Sequence, residues 1–298
     1  MTETASKRAT AGAAYMAFAC LSFAAMATLI KFLAPDIPWQ QTVFVRSVLG
    51  IPFLWIAYRN TTTLFRWNHK RLLLLRSVCG FIAMLCYFYA LEKIPLGTAV
   101  MLAYTSPLHV GWLALIFLPE RPSPLIAPML LVGFLGVWLV ADPTSVVNAG
   151  TIAGALCGLF AGQAYIFVRK LRTTDHPDAI VMAFAVFSAV VSLPLTIPYW
   201  VWPTASQWGL LLCVGITSTI AQALMTRAYR DGMASIIASL GYLTVVFGMI
   251  SGVIFFDETI LGDRLIGACF IILGGLGTVW FGTQRRPLGS PRKADLET

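Results

Sequence analysis

The chain of 298 residues is too apolar for a water-soluble protein. Hydrophobic residues make up 58% of it and charged residues 11%, against roughly 25% charged in typical soluble domains. The net charge of +8 does not indicate nucleic-acid binding, because the basic residues form short clusters between apolar runs, as in the cytoplasmic loops of membrane proteins. The composition predicts an integral membrane protein whose surroundings are a lipid bilayer.

Ten apolar segments divide the chain, and each is long enough to cross a hydrocarbon core of about 30 Å. They predict one transmembrane domain over residues 1–298, with an uncleaved first span and a tail at 284–298. The segments are 11–33, 38–58, 72–91, 95–117, 123–141, 148–170, 179–200, 207–228, 233–256 and 264–283.

The distribution of Lys and Arg predicts the orientation of these spans. With the N-terminus inside, the inner side collects all but four of the basic residues, while the outer side has only Lys31, Lys93 and Arg264. Arg46 lies within a span. This asymmetry places both termini and the 284–298 tail in the cytoplasm, in a cell inner (plasma) membrane.

Residues 90–120 recur as residues 228–258, and the match needs no gap. Leu102 aligns with Leu240, Tyr104 with Tyr242 and Glu120 with Glu258. We therefore expect repeat 1 at about 11–141 and repeat 2 at about 148–283. Because each repeat has five spans, the second crosses the membrane in the opposite direction, an arrangement that secondary transporters use for alternating access. A duplicated scaffold without transport is the alternative.

Spans four and nine carry polar residues at matching depth, together with a residue that weakens the helix. Pro107 removes a backbone donor in span four, and Gly241 weakens span nine, so both are hinge candidates. An ordinary kinked membrane helix is the other interpretation. The substrate-binding candidates in these spans are Tyr104, Ser106, His109, Ser239, Tyr242 and Thr244.

Two amides add polar groups near mid-membrane, Gln163 in span six and Gln222 in span eight. They could bind a zwitterion, or simply join helices by hydrogen bonds. Gly150, Gly154, Gly158 and Gly162 fall four residues apart in span six, which predicts a close-packing helix face, with sliding of a neighbouring helix along it as the alternative.

The charged residues limit the chemistry that the spans can perform. No Asp or Glu falls mid-span, so no coupling-ion site is evident. For Arg46 we expect hydrogen bonds to backbone carbonyls, with an anion contact as the alternative, and Arg76 is expected at the inner interface. The sequence has no catalytic motif, and neither a metal, a cofactor, nucleic acid nor an obligate protein partner is predicted.

An ordered set of short motifs carries a resemblance to a known family. Residues 90–95 (ALEKIP), 104–107 (YTSP), Glu120-Arg121 and Gly136 resemble the drug/metabolite transporter superfamily, above all its ten-helix, EamA-like amino-acid and metabolite exporter branch. The chain departs from the pattern at Val245, where a second proline is usual.

The resemblance implies an all-α membrane protein of ten transmembrane helices, arranged as two inverted five-helix repeats around a central cavity. Spans five and ten would be peripheral. The aromatic residues that could line the cavity are Tyr15, Phe18, Phe81, Tyr87, Trp112, Phe160, Tyr165 and Tyr242. The implied function is export of small organic solutes, with aromatic or other bulky amino acids as the most specific expectation. The alternatives are an exchanger of phosphorylated or other anionic metabolites, for which Arg46 and Arg76 are the only candidate donors, and a membrane scaffold.

Overall fold

The computed structural model of the protein describes residues 2–59, 61, 63–106, 108–109, 125–141, 148–171, 174–231, 240–259 and 262–283. Within these ranges the regular structure is helical and no strand occurs, which confirms the all-α prediction. The helices are α1 Thr2–Leu33, α2 Trp39–Tyr58, α3 Lys70–Lys93, α4 Leu96–Ala103, α5 Ile126–Ala141, α6 Ala149–Leu171, α7 Pro177–Thr196, α8 Ala205–Asp231, α9 Leu243–Phe256 and α10 Gly262–Thr283. A 3₁₀ turn, Ile197–Tyr199, follows α7.

Six helices in the described part of the chain are long and apolar enough to cross a membrane: α1 from Ala11 onward, α2, α3, α6, α7 and α8. Residues 127–140 of α5 and the whole of α9 are shorter apolar helices. Large apolar side chains such as Leu131, Trp138 and Trp280 are more than half exposed. A bilayer, rather than water, is the environment in which such a surface is stable.

The most extensive helix contacts occur in pairs related by exchange of the two halves. The packing of α1 on α8 is matched by that of α6 on α3, α1 on α9 by α6 on α4, and α2 on α8 by α7 on α3. The pairs α2–α7, α4–α9 and α5–α10 map onto themselves. This pattern is what two inverted repeats related by a two-fold pseudo-axis produce.

Helices α5 and α10 pack mainly on each other, as expected for peripheral spans. Their backbones meet at glycines, because a Cβ atom on Gly136 would collide with the carbonyl oxygen of Gly267 and the amide of Ile271. Such close contacts between small residues are a common way to join helices in a bilayer.

Spans four and nine are both interrupted near mid-length. Helix α4 ends at Ala103, and a turn follows in which the Thr105 amide donates to the Leu102 carbonyl at 3.2 Å. Helix α9 begins only at Leu243, after a turn at residues 241–242. A turn therefore interrupts both segments near the proposed hinges, and Pro107 itself lies outside the described residues.

Candidate functional site

The two interruptions lie against α1 and α6 inside the bundle. The Cys20 thiol of α1 donates to the Leu240 carbonyl at 3.3 Å, at the start of the break in span nine. The Tyr104 hydroxyl, at the break in span four, lies close to Thr244 of α9 and interacts electrostatically with Cys20. One polar position thus joins both repeats through the segments that interrupt them.

Three tyrosines surround this position: Tyr87 of α3, Tyr104 and Tyr165 of α6, named here the tyrosine cluster. Tyr104 interacts electrostatically with both of the others, and the apolar side of the cluster packs on Cys157 and Phe160. Tyr165 is 38% exposed, so its phenol is partly accessible. The tyrosine cluster lies beside the interruptions of both spans.

Matching positions of the two repeats supply hydroxyls near the breaks. Ser106 is buried, and Thr244, which the repeat aligns with it, is fully buried. The Thr244 hydroxyl makes no hydrogen bond of good geometry, although the Tyr104 hydroxyl and the Cys20 thiol lie close to it. A buried hydroxyl satisfied so weakly is available to a ligand that can accept or donate a hydrogen bond.

Tyr242 does not occupy the position that its alignment with Tyr104 suggests. It is buried, and its hydroxyl lies against Gly275 of α10, where any side chain would overlap it. The structure therefore does not bring Tyr104 and Tyr242 together. Gly241 is buried in the turn that precedes α9.

The remaining predicted site residues are dispersed. Gln163 accepts a weak hydrogen bond from the Cys79 thiol at 3.6 Å, between α6 and α3. The His109 ring makes an edge contact with Phe134 of α5, 5.6 Å between centroids. Ser239 lies outside the described residues. Gln222 lines a cavity that Arg46 also lines.

This cavity beside Arg46 lies between α2, α7 and α8 and has a volume of about 30 Å³, which is room for a water molecule or two. Arg46 reaches it from α2 with 8% of its side chain exposed. The expectation of hydrogen bonds from Arg46 to backbone carbonyls is wrong: Nη1 donates to the Met84 sulfur and Nε has no partner among the described residues. The apolar neighbours on α3 offer this guanidinium no oxygen acceptor.

Arg76 is also placed differently from the expectation. Its side chain turns into the bundle, is 7% exposed and stacks on the Phe184 ring at 4.1 Å, so it does not lie at the inner interface. Gly80, one turn further along α3, leaves the room, since Nη1 lies 3.2 Å from where a Cβ atom would be. A glycine four residues after a membrane arginine is the sequence signal that could have predicted this orientation.

Another cavity opens at the predicted outer end of the bundle, between α4, α9 and α10, and has a volume of about 250 Å³. Glu258 separates it from the bundle by accepting hydrogen bonds from the backbone amides of Leu96 and, at 3.0 Å, Gly97. Lys31 adds a bond across the same end, from Nζ to the Ile94 carbonyl at 2.6 Å. The repeat identified Glu258 but not this role as a cap for α4.

Among the described residues, no three His, Cys, Asp or Glu side chains come close enough to hold a metal ion. The chemistry available to the central region is therefore recognition by phenols, hydroxyls, an amide and two guanidinium groups.

Similar proteins of known name are membrane transporters. The pseudopaline exporter CntI of Pseudomonas aeruginosa is 33% identical over 263 residues, which are 86% of this chain and 93% of that protein. The S-adenosylmethionine uptake transporter of Rickettsia felis is 24% identical over 88% of this chain and 90% of its own. The riboflavin transporter of Rhizobium johnstonii is 23% identical over 90% and 91% respectively.

A solved crystal structure shares the fold, with a TM-score of 0.65 and 20% identity over 94% of this chain and 98% of that one. The profile of the EamA-like transporter family matches twice, at residues 10–141 and 148–280. These two matches coincide with the repeats that the alignment of residues 90–120 with 228–258 predicts. The chain thus belongs to the EamA-like transporter family, within the drug/metabolite transporter superfamily, and is a multi-pass membrane transporter of small molecules.

Proposed function

We propose that the protein is a secondary transporter that exports amino acids or related metabolites from the cytoplasm by alternating access, without ATP. The observation that carries this proposal is the pair of matched breaks in spans four and nine, which meet at Tyr104 and Thr244. A helix broken at mid-membrane can change its angle without losing regular hydrogen bonds, and two such helices in inverted repeats can open one site alternately to each side.

The tyrosine cluster supports aromatic or other bulky solutes as the substrate. Tyr87, Tyr104 and Tyr165 offer large flat surfaces with polar ends, suited to solutes that combine an apolar part with hydrogen-bonding groups. Pro107 and Gly241 remain the proposed hinges, and Ser106 and Thr244 the proposed hydroxyl contacts. The distribution of Lys and Arg supports an inner-membrane location with cytoplasmic termini.

Transport by the purified protein in liposomes tests this proposal. Liposomes are loaded with a mixture of labelled amino acids, and the loss of each is compared with that from protein-free liposomes. We expect faster loss of at least one bulky amino acid. If no amino acid or common metabolite leaves faster than from the protein-free control, the proposal is wrong.

Substitutions at the breaks test the site within the same assay. We expect Thr244→Val, which removes the weakly satisfied hydroxyl at nearly constant volume, to slow transport about tenfold, the effect of about 1.4 kcal/mol. The matched control is Thr217→Val, because the Thr217 hydroxyl bonds to the Cys213 carbonyl of its own helix. Equal rates for the two variants would remove Thr244 from the site.

A further inference from the structure

Two arginines are buried inside the bundle without a counter-charge. Arg46 of α2 and Arg76 of α3 are each more than nine-tenths buried. Nε of both residues and Nη1 of Arg76 have no hydrogen-bond partner among the described residues. Neither guanidinium pairs with a carboxylate in the described part of the chain, and the sequence has no Asp or Glu at mid-span.

The two arginines enter the bundle from opposite sides of the membrane. Arg46 lies about 10 Å from the start of α2 and Arg76 about 9 Å from the start of α3, at about 1.5 Å per residue, and the two helices run in opposite directions. Arg46 contacts Met84, and Arg76 lies over Gly80, one turn away on the same helix. The two guanidinium groups therefore lie against α3 at positions one helical turn apart.

Arg46 lines the cavity of about 30 Å³, and Arg76 stacks on one part of its wall. Phe184, on which Arg76 stacks, is part of the wall of the cavity that Arg46 lines. Arg76 also lies near Tyr165 of the tyrosine cluster. Ser188 and Gln222, in the same wall as Arg46, each keep a buried oxygen without a partner among the described residues.

Stability of the fold does not account for this arrangement. A charged side chain inside a membrane costs several kcal/mol unless it is paired, and two like charges facing each other cost more. Stacking on Phe88 and Phe184 returns only part of that cost. An oxyanion between the two guanidinium groups would satisfy their free donors and neutralise their charge.

We propose that Arg46 and Arg76 bind an oxyanion group of the transported solute, and that the solute is an organic anion with more negative than positive groups. This inference rests on the proposed transport function and narrows its substrate class. The tyrosine cluster contacts the rest of the solute, while the guanidinium groups hold a carboxylate or a phosphate ester. The cavity of about 30 Å³ beside Arg46 is smaller than a whole solute, so the site enlarges when the hinges open.

Binding to the purified protein in detergent tests the charge preference directly. The probes are L-glutamate and L-glutamine, which have nearly the same shape and differ by one negative charge, and glycerol phosphate, which carries the other oxyanion. We expect glutamate to bind at least about tenfold more tightly than glutamine at constant ionic strength. Tighter binding of glycerol phosphate than of glutamate supports the arginine site and assigns it to phosphate esters.

Variants of the two arginines separate ligand binding from a structural role. We expect Arg46→Gln and Arg76→Gln to abolish the preference for glutamate, while Arg46→Lys keeps part of it because the charge remains. The control is Arg227→Gln, since Arg227 also stacks on an aromatic ring, that of Tyr58 at 5.7 Å, but is exposed. Without ligand, Arg46→Gln and Arg76→Gln should melt at or above the wild-type temperature.

Four results would overturn the proposal: binding of glutamine as tight as that of both glutamate and glycerol phosphate, no binding of any probe by the wild type, loss of the preference in Arg227→Gln, or a lowered melting temperature of unliganded Arg46→Gln and Arg76→Gln. The liposome assay keeps this inference distinct from the transport proposal. If neutral amino acids move equally fast in wild type and Arg46→Gln, the protein is a transporter whose arginines do not select anions.

Discussion

Gly158 of α6 lies at the closest contact between that helix and span four. A Cβ atom at this position would lie 2.9 Å from the Leu102 carbonyl oxygen and nearer still to the Thr105 hydroxyl. Gly154 and Gly150 face Leu102 and Ile94 in the same way, so the glycines four residues apart form the close-packing face that their spacing predicts. This face holds α6 against the proposed hinge of span four.

At the residue scale, the structure predicts opposite effects for two Gly→Ala changes. Gly158→Ala should lower the melting temperature, because overpacking against a backbone oxygen costs about 1–3 kcal/mol. Gly209→Ala in α8, where nothing lies within 4 Å of the added Cβ atom, should raise it slightly because alanine is the better helix former. Thermal unfolding in detergent measures both. A higher melting temperature for Gly158→Ala would contradict the close contact.

Side-chain direction is what the sequence could not predict for single residues. Tyr104 and Tyr242 align in the repeats, yet Tyr104 belongs to the tyrosine cluster and Tyr242 lies against α10. Residue type and depth are readable from the sequence, whereas a rotation of the helix by one or two residues decides which neighbour a side chain meets. Arg76 illustrates the same limit, since the sequence predicts it at the inner interface and its side chain instead turns into the bundle.

At the scale of elements, the helix boundaries were predictable because membrane spans are set by long apolar runs and ended by charge, Pro or Gly. The predicted segment 38–58 corresponds to α2, Trp39–Tyr58, and 148–170 to α6, Ala149–Leu171. The contact of Glu258 with α4 was not predictable, because it joins residues about 160 positions apart. Its carboxylate meets the positive end of the α4 dipole and two amides that lack partners within that helix.

This contact links α9 of one repeat to α4 of the other at the outer end, so its removal should favour opening there. A carboxylate cap contributes about 1 kcal/mol, which is a ratio of about five between two states. In a background without native cysteines, we expect Glu258→Ala to speed labelling of Thr98→Cys by an impermeant thiol reagent about fivefold. Thr98 is suitable because it lines the outer cavity yet is 7% exposed.

Asp257→Asn is the matched control for this experiment. Asp257 adjoins Glu258 but adopts a left-handed conformation, φ 52°, which asparagine also tolerates. The control should label Thr98→Cys at the rate of the parent protein. An unchanged labelling rate in Glu258→Ala would mean that the cap does not restrain the outer end.

For the molecule as a whole, the gapless alignment of the two halves predicts which helices touch. Exchange of the halves converts the α1–α8 contact into α6–α3, and the contact pattern obeys that exchange although few residues are identical. The packing of the helices therefore stays nearly symmetric although the sequences of the two repeats have diverged. The central region breaks it, since both buried arginines belong to the first repeat and their counterparts, Phe184 and Val214, are apolar.

The orientation of this asymmetric bundle across the membrane can be tested, and both the direction of export and the outer position of Glu258 depend on it. Thr61, after α2, and Thr259, after α9, are exposed residues that the distribution of Lys and Arg places on opposite sides. In intact cells, an impermeant maleimide should label Thr259→Cys and should reach Thr61→Cys only after permeabilisation. The reverse pattern would put both termini outside, place Glu258 at the inner end, and turn the proposed outer restraint into a restraint on cytoplasmic entry.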